Sequence, residues 1–282
     1  MQLFLLGNGN KPGVSDIARQ LLPWLRSQAE VVVVDLHQEV DLTQHYADLV
    51  LVLGGDGSIL RAVRQMGYHQ RPTLGINLGK LGFLAEVNLD ELQSVLPAVL
   101  QGQCTVTKHL MMECLVESRD HPDVELQRRL VLNEVIVFAD PPLELVEISL
   151  QIDGEAVTTF AGDGMILSTP IGSTGHNLSA GGPILHQDLQ AVVMTPMCAH
   201  TLTHRPLIDR ADRAYVIRLP QTHGRGMVIV DGQDRLPLTS AEQVRIEQAP
   251  VRFERVRPAN RSYYRTLQDK LRWGAPPVYR TG

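Results

Sequence analysis

The sequence predicts an α/β layer domain followed by an all-β, sandwich-like domain and a C-terminal helical tail. Three observations carry this. Short apolar strands alternate with helical stripes up to residue 100, the pattern of a parallel sheet covered by helices. After Gly102 helical periodicity gives way to strand-like runs with turns between them, as in an antiparallel β body. From 260 to 273 helical spacing returns, with Tyr264, Leu267 and Leu271 on one face. The expected domains are therefore 1–103, 104–250 and 251–282, the last returning to the N-terminal domain or to a neighbouring subunit.

Leu3 to Leu6 reads as a first buried strand, ending in the turn-rich Gly7 to Gly13. Ile17, Leu21, Leu22 and Leu25 form a helical stripe, and Val31 to Val34 is β-branched throughout, hence a second strand. The run Leu49 to Leu53 has no polar alternation, which predicts a strand covered on both faces. Gly54, Gly55 and Gly57 then turn the chain into a helix from Ser58 to Arg64, with Ile59, Leu60 and Val63 on one side and Arg61 and Arg64 on the other. Thr73 to Ile76 is a further strand. The loop after it, with Gly79, Gly82 and Phe83, either admits a flat ligand or is an ordinary glycine-rich connection. Asp90 is the expected cap of a helix that buries Leu92, Val95, Leu96, Val99 and Leu100 and ends at Gly102.

Expected strands of the β region are 106–118, 129–138, 145–152, 165–168, 191–194, 214–218, 227–230 and 244–247. Asp153-Gly154 reads as a hairpin turn, 120–125 as a polar surface loop and 274–282 as irregular.

The 282 residues provide enough apolar material for two cores, and a net charge of −5 gives no basic footprint for nucleic acid. Cys104, Cys114 and Cys198 lack metal-ligand spacing and suit a reducing compartment. The opening residues read as neither export signal nor membrane anchor, so the expected location is the cytoplasm, with no membrane partner.

Chemistry concentrates in three stretches. A strand, a glycine turn and a helix start, as in Leu49 to Arg64, bring unpaired N–H groups and the positive end of a helix dipole together, which suits phosphate. Asp56 sits within that turn. A carboxylate there either holds a divalent cation, takes a proton from an attacking hydroxyl, or merely caps the helix. Asn133 and Glu134 interrupt an apolar strand, so one of them faces the interior or a cleft, unless a bulge or strand end places them at the surface. Ala161 to Ile184 is dense in small donors, with Asp163 in a second glycine turn just ahead of them, as where a loop wraps a phosphorylated ligand.

GGDGS at 54–58, NE at 133–134, GDG at 162–164, STPIGSTGHNLSAGGPI at 168–184, HTLTHRPL at 200–207 and DGQ at 231–233 together resemble the ATP-NAD kinases. The resemblance spans nearly the whole chain. It implies a Rossmann-like α/β domain before the β-rich, NAD-binding one, and transfer of phosphate from ATP to the 2′-hydroxyl of the adenosine ribose of NAD⁺, giving NADP⁺ and ADP. It implies ATP as donor, a divalent cation (Mg²⁺), and a homo-oligomer, dimer or tetramer. Asp56 would be the proton acceptor, next to Gly57. Asn133, Glu134, Asp163 and the run Thr174, Gly175, His176, Asn177, Leu178 and Ser179 would hold the dinucleotide, as would Arg61 and Gln233, with Phe83 lining the adenine pocket. Three positions depart from the family: Ile171 stands for threonine or serine, Gly175 for alanine and His176 for tyrosine. Competing readings are an NAD or NADP sensor without turnover, which would need no base at Asp56, and a lipid kinase, which the polar block from Ser168 to Gly182 disfavours.

Overall fold

The apolar runs near the start of the chain become parallel strands. In the computed structural model, which describes residues 1–79, 82–121, 125–140, 146–201, 203–220, 225–259 and 261–271, they are β1 (Gln2–Gly7), β2 (Glu30–Asp35) after helix α1 (Val14–Gln28), and β3 (Leu49–Leu53). Next come α2 (Asp56–Met66), β4 (Thr73–Asn77), the short β5 (Val87–Asn88) and α3 (Leu92–Leu100). The long β6 (Cys104–Ser118) leads into β7 (Glu125–Val131), β8 (Glu134–Asp140), β9 (Val146–Ile152), β10 (Glu155–Gly162) and β11 (Gly164–Ser168). After α4 (His176–Ser179) follow β12 (Ala191–Met197), β13 (Leu207–Arg210), β14 (Tyr215–Arg218), β15 (Arg225–Val230) and β16 (Asp234–Leu238). The long β17 (Glu242–Pro258) then leads to α5 (Tyr263–Leu271). The expected irregular stretch 274–282 and the centre of the 120–125 loop lie outside the described residues.

Two compact units result, one built from residues 1–108 and the segment from Phe253 onward, the other from His109–Arg252. In the first, β2, β1, β3 and β4 lie side by side, all parallel, with β5 next to β4. The end of β17 also joins β4, with Arg255 opposite Thr73. Strand order reverses between β1 and β3, and in open α/β sheets that reversal marks the crevice where ligands bind. The glycine turn after β3 falls there. Leu3, Leu5, Leu51, Leu53, Leu74 and Ile76 form the core with Leu25 of α1 and Leu96 of α3.

The second unit is a sandwich. One sheet contains β10, β9, β14 and β17, with β6 on β17 and β7 on β6; the other runs β13, β12, β11, β8, β15, β16. Inward residues alternate along each strand, as in β9, where Val146, Ile148, Leu150 and Ile152 are buried. They pack with Val135, Val137, Met165, Leu167, Val192 and Val228 of the opposing sheet.

Several local expectations change. The strand expected over 129–138 breaks at Leu132–Asn133 into β7 and β8. Strands β13 and β16 were not expected, and β10 is the returning arm of the hairpin expected at Asp153-Gly154. The turn before α3 is closed by Glu91, whose carboxylate accepts from the Asn88 N–H at 2.9 Å, and not by Asp90. The buried face of α5 carries Tyr263, Thr266 and Leu267, whereas Tyr264 is 58 % exposed. No helix among the described residues is long and apolar enough to cross a membrane, and Cys104, Cys114 and Cys198 are free.

Leu51, buried at the centre of the parallel sheet, gives a test of the core: Leu51→Ala is expected to lower unfolding free energy by about 2–5 kcal/mol, read as a lower urea midpoint at unchanged slope.

Candidate active site

In the first unit the geometry is set by the turn after β3. Gly54 has φ 132°, and a β-carbon on it would lie 2.1 Å from Ser58 Oγ, so glycine is required. This turn starts α2 at Asp56, whose carboxylate then faces the loop after β4. Asp56 Oδ2 accepts from the Phe83 N–H at 2.8 Å, and Oδ1 accepts from the Leu84 and Ala85 N–H groups at 2.9 and 3.1 Å. A β-carbon on Gly82 would fall 1.9 Å from Asp56 Oδ1, so glycine lets the loop close over the carboxylate. Gly57 is exposed, and Arg61 and Phe83 are half-buried. Arg61 is anchored through its carbonyl, which accepts from Gln38 Nε2 at 2.9 Å.

In the second unit the break between β7 and β8 is the organising feature. Asp231, in the β15–β16 turn at φ 51°, accepts from the N–H of Leu132 at 2.9 Å, of Asn133 at 2.7 Å and of Glu134 at 3.1 Å. The loop after β11 fastens the other side. Thr169 Oγ1 donates to the Leu132 carbonyl at 2.5 Å, and the Asn133 carbonyl accepts from Thr169 N at 2.8 Å and Ser168 Oγ at 3.2 Å. With both backbones pinned, Asn133 Oδ1 and Glu134 Oε2 are buried atoms with no hydrogen-bond partner among the described residues. A β-carbon at Gly175 would stand 3.5 Å from Glu134 Oε2. Burial and, second, the neighbouring Asp231 charge push the Glu134 carboxyl up to about 8. Asp231 itself is pushed up to about 6 by burial, against the lowering effect of its three N–H donors.

The remaining site residues divide by surroundings. Asn177 is fully buried and wholly engaged: its Nδ2 donates to the carbonyls of Ser173 at 3.1 Å and Pro183 at 3.0 Å, and its Oδ1 accepts from Thr195 Oγ1 at 2.6 Å. Gly175, His176 and Ser179 are exposed, and Thr174 and Leu178 half-buried. Gln233 lies in the same turn as Asp231. Asp163 is not brought to Glu134. In the β8–β11 register Ser168 faces Glu134 whereas Gly164 faces Phe138, which leaves Asp163 roughly 16 Å along the strand from Ser168; it meets the Cys198 thiol instead.

Residues 37–104 match the ATP-NAD kinase N-terminal domain and residues 132–257 the ATP-NAD kinase C-terminal domain. This chain belongs to the ATP-NAD kinase family. The NAD kinase of Rhodopirellula baltica is 42 % identical over 272 residues, covering 96 % of this chain and 86 % of that one. That of Geotalea daltonii is 36 % identical over 273 residues, covering 93 % and 95 %. A crystal structure of an NAD kinase from Archaeoglobus fulgidus in complex with ATP matches with a TM-score of 0.77 at 25 % identity, over 96 % of this chain and 99 % of that one. Yeast NADH kinase complexed with NADH matches in fold, with a TM-score of 0.89 at 22 % identity, over 100 % and 89 %.

Of the three departures that the resemblance implies, Ile171 is buried at 4 % exposure, and the 3.5 Å from a β-carbon at Gly175 to Glu134 Oε2 is an ordinary contact. Nothing in the structure explains His176. From the sequence Asp231 was read only as part of the DGQ motif, with no role of its own. Its signal was present, since Asp231-Gly232 between apolar runs is a hairpin turn, but that the carboxylate caps a distant strand break is visible only in three dimensions.

A carboxyl whose pKa is raised by folding stabilises the fold at low pH. Glu134's contribution is full below pH about 4.5 and lost as pH rises through about 8. Thermal melts of the unliganded protein should therefore show wild type losing stability relative to Glu134→Gln across that interval.

Proposed function

We propose that the chain phosphorylates the 2′-hydroxyl of the adenosine ribose of NAD⁺ with ATP, giving NADP⁺ and ADP. One observation supports this most directly: the GGDG aspartate is held rigidly at the carboxyl end of β3, with acceptor capacity left over. A carboxylate offers about four lone-pair directions, and three are taken by the Phe83, Leu84 and Ala85 amides. The remaining direction lies on Oδ2, which carries a single N–H, and in this reading the ribose hydroxyl takes it. Accepting that hydrogen bond orients the oxygen for attack, and the proton passes to Asp56 as the bond to phosphorus forms. Because phosphoryl transfer proceeds through a loose transition state, orientation matters more than early proton removal. A carboxylate bonded to three amides is a well-aimed acceptor.

Asn133 and Glu134 hold the dinucleotide in this reading, their open Oδ1 and Oε2 supplying polar contacts. With its carboxyl pushed up to about 8, Glu134 is mostly protonated near neutral pH and can donate as well as accept. Thr174, Gly175, His176, Leu178 and Ser179 line the dinucleotide, while Asn177 shapes the loop from beneath. Arg61, Phe83, Gly57 and Gln233 are assigned the contacts that the resemblance implies, and Asp163, which lies away from Glu134 along its strand, is assigned a separate one. In this reading the divalent cation enters with the nucleotide as MgATP. A cytoplasmic homo-oligomer supplying NADP⁺ completes the reading.

Purified protein incubated with NAD⁺, ATP and Mg²⁺ should form NADP⁺. Asp56→Asn should lower turnover by about a hundred- to ten-thousand-fold; a loss below about tenfold would remove Asp56 from the role of proton acceptor.

A further inference from the structure

Arg255 is 1 % exposed and, among the described residues, heads the fully buried side chains by size. A guanidinium is seldom buried to that extent, because losing water costs several kcal/mol unless its donors are used. It lies in β17 opposite Thr73 of β4, and its carbonyl accepts from Thr107 Oγ1 at 3.3 Å. Its Nη1 donates to the Phe83 carbonyl at 3.0 Å. That carbonyl and the Leu84 N–H belong to one planar peptide group, and the Leu84 N–H donates to Asp56 Oδ1 at 2.9 Å. A single peptide unit thus has the guanidinium on its oxygen and the Asp56 carboxylate on its nitrogen.

A donor on the oxygen of a peptide polarises it and strengthens the bond its N–H makes. Two further arginines secure the same segment. Arg257 bonds Glu86 through Nε at 3.2 Å and Nη2 at 3.3 Å, and Arg261 meets Glu91 at 2.6 Å. Of these three arginines, Arg255 is the one bonded to one of the three peptides whose N–H groups meet Asp56.

We propose that Arg255 is a positioning residue for phosphoryl transfer, holding through the Phe83–Leu84 peptide the amide cradle that aims Asp56 at the acceptor hydroxyl. The proposal rests on the assignment of Asp56 made above. It predicts a defect in turnover and not in affinity, since misplacing a reacting group by about 1 Å costs on the order of a hundredfold in rate.

The test is steady-state kinetics on Arg255→Met, close in length but without donors, and on Arg255→Lys, which keeps a charged donor. Arg255→Met should lower kcat about a hundredfold while KM for NAD⁺ and for ATP stays within about threefold. Arg255→Lys should recover part of the loss. In an Asp56→Asn background, Arg255→Met should add no further loss. Equal losses in both backgrounds, or a rise in KM with kcat intact, would overturn the proposal. Should Arg255→Met not fold, Gly82→Ala, which places a methyl against Asp56 Oδ1, carries the test: reduced kcat at unchanged KM supports a cradle that must stay closed, and unchanged kcat overturns it. If Asp56→Asn keeps turnover within about tenfold, the assignment of Asp56 fails and Arg255's role with it. If Asp56→Asn is inactive but Arg255→Met is not slowed, only the inference about Arg255 fails.

Discussion

Main-chain amides closing on an aspartate hold the functional loops of this molecule in place. Asp56 accepts from residues 83, 84 and 85, and Asp231 from 132, 133 and 134. Asp35, at the end of β2, accepts from the N–H groups of His37, Gln38 and Val40 at 2.8–2.9 Å. Each bond is charge-assisted and roughly twice as strong as a neutral one. The stretches they fasten are rich in glycine and small polar residues, and apolar packing has little to grip there. A carboxylate buried under amides supplies the restraint that side-chain volume cannot.

The same device leaves different chemistry behind at each place. Asp35 also accepts from Gln65 Nε2 at 2.6 Å, and it stabilises the turn after β2 beside α2. Asp231 fixes the backbone at the start of β8, where Asn133 and Glu134 stand. Burial and, second, the Asp231 charge keep the Glu134 carboxyl protonated to higher pH. Asp56 retains one acceptor direction. Orientation set by covalent geometry and amide donors, instead of by flexible side chains, is what a reaction with little covalent chemistry for the protein requires.

Some elements were legible because their cause is local. Leu49–Leu53 is apolar at every position and forms a central parallel strand; Asp153-Gly154 makes the β9–β10 turn, at φ 50° and 82°. Others were hidden for equally definite reasons. β16 contains Pro237, which argues against a strand until the sheet order shows β16 at an edge. β13 is also an edge strand, with Leu207 and Ile208 44 % and 48 % exposed, and lacks the alternation of a half-buried strand. The break at Leu132–Asn133 has no glycine or proline to mark it, because an aspartate 98 residues away makes it.

Local sequence by itself determined the parallel α/β layer, the β-rich body, the helical tail and the identity of the loops that carry carboxylates and small donors. Apolar periodicity and glycine act over a few residues, so a linear string records them. Tertiary structure alone decided how those carboxylates are used: which amides close on Asp56 and Asp231, which polar atoms of Asn133 and Glu134 are left without partners among the described residues, and that Arg255 lies behind the Phe83–Leu84 peptide. Hydrogen bonds between residues far apart in the chain need direction and distance, and these exist only once the strands have been brought side by side.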